Sequence, residues 1–252
     1  MKIVFHEDFI TNYGYESDPA ADKGRIESIE KELRSNYDFV QAKPAKNEDI
    51  LLYHTPSQLD YVKSLGLTYQ MALLAAGGAI IASELALTEE PAFALIRPPG
   101  HHASANSCWG FCFFNNIVIA IKKLLNEGKI NNAVIIDFDL HFGDGTRNAI
   151  NRDSQVSYYH GNGRTPSDYI TNLVGQLEDY NNADMLAVSA GFDQGIRDWG
   201  KLLSEDNYTE IGKILKDFSI EKCKNRRFAV LEGGYNHKVL GKNVSAFLSG
   251  FK

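Results

Sequence analysis

Short apolar runs alternate along this chain with longer stretches of helical period. The runs at residues 2–5, 92–97, 133–138, 156–159, 185–190 and 228–231 predict strands. Helices are predicted over 24–35, 67–87, 115–126, 146–151, 206–222 and 239–247, where apolar positions recur every three or four residues. The strand segments are apolar throughout rather than on alternate positions, so both of their faces are covered. With helices between them, this predicts an α/β fold with a central, mostly parallel sheet. No repeat, low-complexity tract or Pro/Gly/Ser-rich linker divides the sequence, so residues 1–252 are read as a single domain. The most apolar stretch, residues 71–82, is broken by Gly77 and Gly78. It falls short of the roughly 20 residues that span a bilayer and reads as a buried core helix.

Composition narrows the function classes. The 252 residues carry 26 basic and 32 acidic side chains, a net charge of −6. With 44% hydrophobic residues, the chain is no disordered segment, collagen or coiled-coil rod. The acidic balance argues against a nucleic-acid partner, which asks for a basic patch or stripe. Cys108, Cys112 and Cys223 form no CxxC pair, which fits three reduced thiols of a cytoplasmic protein. The N-terminus runs from Met1 into His6, Glu7 and Asp8 with no apolar leader. No membrane partner is expected, and the oligomeric state is not legible.

The unusual polar clusters all follow predicted strands. They are Pro98-Pro99-Gly100-His101-His102, Asp139-Leu140-His141-Phe142-Gly143-Asp144-Gly145-Thr146, Gly191-Phe192-Asp193 and Glu232-Gly233-Gly234-Tyr235-Asn236. Ligands of open parallel sheets sit beyond the carboxyl ends of the strands, so these four loops are expected to share one rim. Strand alternation places Asp137, Asp139 and His141 on one face. Carboxylates set so close repel each other, and a divalent cation resolves the conflict. Asp139, His141 and Asp193 then make three protein ligands with a position open for water, the arrangement of a catalytic zinc site. The competing reading of Asp139 and His141 is loop hydrogen bonding or helix capping. His101 and His102 are either general acid–base groups, with Asp137 and Asp144 as orienting partners, or surface residues of a turn. Tyr235 either donates to a developing oxyanion or simply packs after its glycines. No GxGxxG, GxxxxGK[ST] or GxSxG pattern is present, which argues against phosphate-binding loops and a serine hydrolase.

Five stretches together resemble the zinc-dependent histone deacetylase and acetylpolyamine amidohydrolase family. They are Arg97-Pro98-Pro99-Gly100-His101-His102-Ala103, Gly110-Phe111-Cys112-Phe113-Phe114-Asn115-Asn116, Asp137 through Thr146, Ala190-Gly191-Phe192-Asp193 and Leu231 through Asn236, in the family's order. The resemblance implies an arginase/deacetylase-like three-layer fold. It implies Zn²⁺, or Fe²⁺ in the cell, on Asp139, His141 and Asp193. It pairs His101 with Asp137 and His102 with Asp144, and makes Tyr235 the catalytic tyrosine. Gly110 and Phe111 match positions that line the acyl-amine channel, and Trp199 is expected to wall its entrance. The implied reaction removes an acetyl or short acyl group from acetyl-lysine in a protein or peptide, an acetylpolyamine or another small acylated amine.

Several positions depart from the family pattern. Phe142 stands where a second histidine is common. Members also bind potassium near this strand through a serine, whose place falls near Ser157 or Tyr158, which leaves K⁺ open as a second ion. Arg25 resembles an N-terminal arginine used near the internal cavity. Residues 54–67 and 160–169 are short where relatives carry rim loops, which predicts a wide, shallow mouth. Two other readings stand beside the deacetylase: a non-catalytic acyl-lysine-binding protein, which is expected to have lost one of these site residues, and a two-metal arginase-like hydrolase, which needs more Asp and His ligands.

Overall fold

The computed structural model describes residues 1–10, 18–88, 90–151 and 153–252. Its strands are β1 (Lys2–Phe5), β2 (Asp38–Gln41), β3 (Ala92–Ala94), β4 (Ala133–Asp137), β5 (Val156–His160), β6 (Leu186–Ala190) and β7 (Arg227–Leu231). They form one sheet in the order β2–β1–β3–β7–β6–β4–β5, and every neighbouring pair is parallel. β4, β6 and β7 are buried at every position, as expected for strands covered on both faces.

The helices are α1 (Arg25–Leu33), α2 (Asn47–Ile50), α3 (Pro56–Lys63), α4 (Leu67–Leu87), α5 (Asn116–Asn126), α6 (Asp144–Ile150), α7 (Pro166–Glu178), α8 (Glu205–Lys222) and α9 (His237–Phe251). α4 packs on α5 and lies against β1, β3 and β7, while α1, α8 and α9 pack together as a second group. The result is a three-layer α/β arrangement. By length and composition α4 is apolar enough to cross a membrane, yet 67% of its most apolar window is buried inside the protein. Burial on several sides explains why it shows no polar face.

The observed elements differ from the predicted ones in instructive ways. β3 ends at Ala94 rather than at residue 97, because the chain turns off the sheet ahead of Pro98 and Pro99. β2 was not predicted. It is a half-exposed edge strand with polar ends, so it carries no continuous apolar run. Residues 54–67 are not a bare connection but contain α3, and α7 begins inside the segment read as a trimmed loop. Both helices start with the same device. Thr55 and Thr165 accept from the backbone N–H three residues on, and Pro56 and Pro166 sit in the first turn.

The register brings the strand ends level. Asp137 on β4 lies opposite Ser189 on β6, and Ala190 opposite Leu231 on β7. The four motif-bearing loops follow β3, β7, β6 and β4, which are contiguous in the sheet although they are not consecutive in sequence.

His54 ties the α2–α3 connection to this end of the molecule. It is buried, and its Nε2 accepts the N–H of Asn115 at 2.9 Å, at the start of α5. Burial pushes the imidazole down to about 4, and protonation at Nε2 would set two donors against each other. The unfolded chain therefore takes up the proton first as pH falls. The stability held by neutral His54 is complete above about 6.5 and is lost toward 4, at up to about 1.4 kcal/mol per pH unit. Urea denaturation between pH 7 and 4 should show this slope, and His54→Gln should make it shallower by close to one proton.

Candidate active site

The loop after β4 supplies most of the charge. Asp139 and Asp193 are fully buried, and His141 is the partly open member of the group. One donor atom from each of the three lies within 4.8 Å of the others. His141 Nδ1 is 2.8 Å from Asp193 Oδ2, yet that oxygen is buried with no hydrogen-bond partner among the described residues. Two donor atoms that converge without a bonding alignment are what a shared cation requires. The remaining lone pairs are committed. Asp139 Oδ2 takes the N–H of Gly233 at 2.7 Å, and Asp193 Oδ1 takes that of Leu140 at 2.9 Å. Gly191 matters here for space rather than flexibility, since a Cβ on it would sit 2.0 Å from Asp139 Oδ2.

Electrostatics records the same crowding. Burial and the charge of Asp139 raise Asp193 to about 7. The two carboxylates close to its ring, Asp139 and Asp193, raise His141 to about 10. Without a cation, the cluster holds protons in its place, and a metal must displace them. The donor set of two carboxylates and one imidazole fits a divalent ion, Zn²⁺ included.

The tandem histidines are buried next to this cluster. His101 Nδ1 lies 3.1 Å from Asp137 Oδ2, and His102 Nδ1 2.7 Å from Asp144 Oδ1. In each pair the carboxylate accepts from Nδ1, which leaves Nε2 as the second ring atom for chemistry. The two rings are nonetheless unlike. His101 is fully buried, but Asp139 and Asp137 outweigh that burial and hold its pKa well above the ordinary value. Burial and the neighbouring His101 charge bring His102 down to about 4. A cation and a neutral base therefore stand side by side.

Tyr235 completes the group. Its backbone N–H and that of Asn236 both donate to Asp198 Oδ2 at 2.8 Å. Arg25, fully buried, donates through Nε to the Gly234 carbonyl at 2.8 Å and also bonds the Glu232 carbonyl. Burial, Asp139 and Asp193 push the phenol up, so it stays a hydrogen-bond donor. Glu232 clamps two of the loops together. Its Oε2 accepts the N–H groups of Gly100 and His101, and its Oε1 accepts from Ser189.

These groups open onto one pocket of about 180 Å³, lined in part by His101, His102, Gly110, His141, Trp199 and Tyr235. Gly110 and Trp199 are where the sequence placed them, with the Trp199 ring stacked on Tyr235 at 4.2 Å. Phe111 is buried, with its ring centroid 5.1 Å from that of Phe113, and Trp109 also lines the pocket. Gly110 (φ 58°) and Phe111 (φ 61°) are both left-handed, so the chain reverses there. Phe142 is exposed and stands edge-on to His160, and Tyr158 rather than Ser157 reaches the site, donating to Asp137 Oδ2 at 3.0 Å.

Sequence reasoning missed Trp109, Glu232 and Asp198. Glu232 stands in the Leu231–Asn236 motif, where a carboxylate directly before two glycines is the available signal. Nothing local singled out Asp198. A second grouping among the described residues, His101, Cys112 and Glu232, also brings donor atoms within 4.8 Å. Its carboxylate is already bonded to Gly100, His101 and Ser189, so it does not supply the second metal of an arginase-like centre.

The three-layer α/β fold thus gathers an acid–imidazole cluster at the strand ends. The histone deacetylase domain family matches residues 20–169 and 162–251, and the chain belongs to that family. It is 29% identical to a probable deacetylase of Methanothermobacter thermautotrophicus, over 84% of this chain and 78% of that protein. It is 32% identical to histone deacetylase 18 of Arabidopsis thaliana, over 84% of this chain but only 37% of the plant protein. The solved HDA15 HD domain shares its fold, with a TM-score of 0.86 and 21% identity over 99% of this chain and 88% of that one.

Removing one ligand should test the cluster directly. Asp193→Ala is expected to abolish tight binding of a divalent ion, read by metal analysis after dialysis and by calorimetry. Wild-type protein should retain about one ion, as a three-ligand site with one open position predicts.

Proposed function

We propose that the protein is a zinc-dependent amidohydrolase that removes an acetyl or short acyl group from an acylated amine, such as acetyl-lysine or an acetylpolyamine. One observation carries this reading. Two buried imidazoles, each held at Nδ1 by a carboxylate, and a phenol line a single pocket beside the Asp139–His141–Asp193 cluster.

Bound Zn²⁺ supplies a Lewis acid that polarises the amide carbonyl and lowers the pKa of water. The protein's own residues do the rest. His102, fixed through Nδ1 by Asp144, takes a proton from the attacking water at Nε2 and returns one to the departing amine nitrogen. The C–N bond breaks as the new C–O bond forms, giving the carboxylate and a free amine. His101, buried with its Nδ1 on Asp137 Oδ2 at 3.1 Å, presents its other ring nitrogen beside the cluster and supports the developing negative charge. Tyr235 donates its phenol proton in a hydrogen bond to that oxyanion, and Arg25 and Asp198 hold its loop in place. The Trp109 and Trp199 rings, both about half exposed, give the mouth two aromatic walls suited to an alkyl-amine chain.

Turnover of the zinc-loaded protein on acetyl-lysine peptides, acetylputrescine, acetylspermidine and other short acyl-amines tests the reading, with Asp139→Ala as the blank. Hydrolysis is expected on at least one class. Binding without turnover would instead support an acyl-lysine-binding protein. Tyr235→Phe should lose about 10²–10³ in kcat with little change in KM, as for removal of an oxyanion donor.

A further inference from the structure

We propose that Trp109 is a positioning residue for His102, making a His102–Asp144–Trp109 unit of what would otherwise be a two-residue pair. The proposal rests on the hydrolase reading for its kinetic consequence, but not for its geometry.

The geometry is specific. Asp144 has one oxygen on each neighbour: Oδ1 lies 2.7 Å from His102 Nδ1, and Oδ2 accepts the indole Nε1–H of Trp109 at 2.9 Å. The Asp144 side chain is 39% exposed, so a single bond to His102 would leave its carboxylate free to rotate into water. A second donor on the other oxygen fixes the carboxylate plane, and with it the imidazole that the carboxylate orients. The same indole also covers His102. The two ring centroids are 3.7 Å apart at an interplanar angle of 32°, with His101 as a further ring neighbour at 4.1 Å.

The backbone is shaped to deliver this contact. The N–H of Cys112 closes a turn on the Trp109 carbonyl at 3.0 Å, with Gly110 and Phe111 both at positive φ. A bulky residue such as Phe111 is rarely held in that region, and such positions persist where the surroundings fix them. Gly110 cannot be replaced without loss, because a Cβ there would sit 2.9 Å from His102 Cδ2. Residues 109–111 therefore wrap over one catalytic imidazole. Although the Trp109 side chain is 54% exposed, its one donor is bonded to Asp144 and its ring face is stacked on His102.

Two variants separate the contributions. Trp109→Phe keeps a stacking ring and removes the donor, whereas Trp109→Leu removes both. In the zinc-loaded enzyme, Trp109→Phe should lower kcat about tenfold with KM within about twofold, the size expected when an orienting partner is lost. Trp109→Leu should lower kcat further and raise KM, because it also removes a pocket wall. Metal content and melting temperature should stay at wild-type values in both. A second readout needs no turnover: ¹⁵N NMR of the His102 ring should show Nδ1 protonated in the wild type, and exchange-broadened or mixed tautomers in Trp109→Phe. Wild-type kcat in Trp109→Phe, a loss that follows metal content or melting temperature, or an unchanged His102 spectrum would each overturn the proposal. If the wild type hydrolyses no acyl-amine, the functional reading fails while the spectrum still decides the role of Trp109.

Discussion

The structure is organised around a concentration of negative charge that water does not reach. Asp137, Asp139, Asp193 and Glu232 are all fully buried near the carboxyl ends of β3, β7, β6 and β4. Isolated buried carboxylates are strongly disfavoured, so each must be met by donors or by a cation. Backbone N–H groups of Gly100, His101, Asp139, Leu140, His141 and Gly233 meet part of this demand. His101 and His141 meet more of it, and Asp193 Oδ2 is left over. That unmet charge is what makes the Asp139–His141–Asp193 cluster a candidate to hold a divalent cation.

The same bonds that satisfy the carboxylates also assemble the site. Glu232 follows β7 but binds the backbone after β3, so it fixes the histidine loop relative to the tyrosine loop. Asp198, beyond β6, pins the backbone of Tyr235 and Asn236. Arg25, from the first turn of α1, bonds carbonyls on either side of Gly233 and lies 5.7 Å from the Tyr235 ring. Charge compensation and catalytic positioning are thus achieved by one network. It also separates the two histidines, whose pKa values shift in opposite directions although each pairs its Nδ1 with an aspartate, because His101 faces more carboxylates.

Much of this was legible in the sequence. The apolar runs predict six of the seven strands, and the candidate residues His101, His102, Asp139, His141, Asp144, Asp193 and Tyr235 stand in the polar loops after them, with Asp137 at the end of β4. What escaped had weak or non-local signals. β2 is an edge strand with polar ends, and α3 and α7 begin at Thr-Pro pairs inside segments read as loops. Trp109 reaches the pocket because two successive left-handed residues, Gly110 and Phe111, reverse the chain there, a conformation no local pattern announces.

The sequence by itself determined the inventory: an α/β chain, strands apolar enough to be covered on both faces, and carboxylates and imidazoles at the strand ends. Those are local properties, because side-chain period and loop composition follow from neighbours along the chain. Only the tertiary structure decided which of them meet. Strand order places β7 and β6 between β3 and β4, so loops more than 130 residues apart in sequence share one carboxylate, as Gly100 and Glu232 do. Likewise, Trp109 reaches Asp144 across 35 residues, a contact set by how the turn at Gly110 and Phe111 packs over His102. Pairings of this kind depend on sheet order and loop packing, which no spacing along the chain encodes.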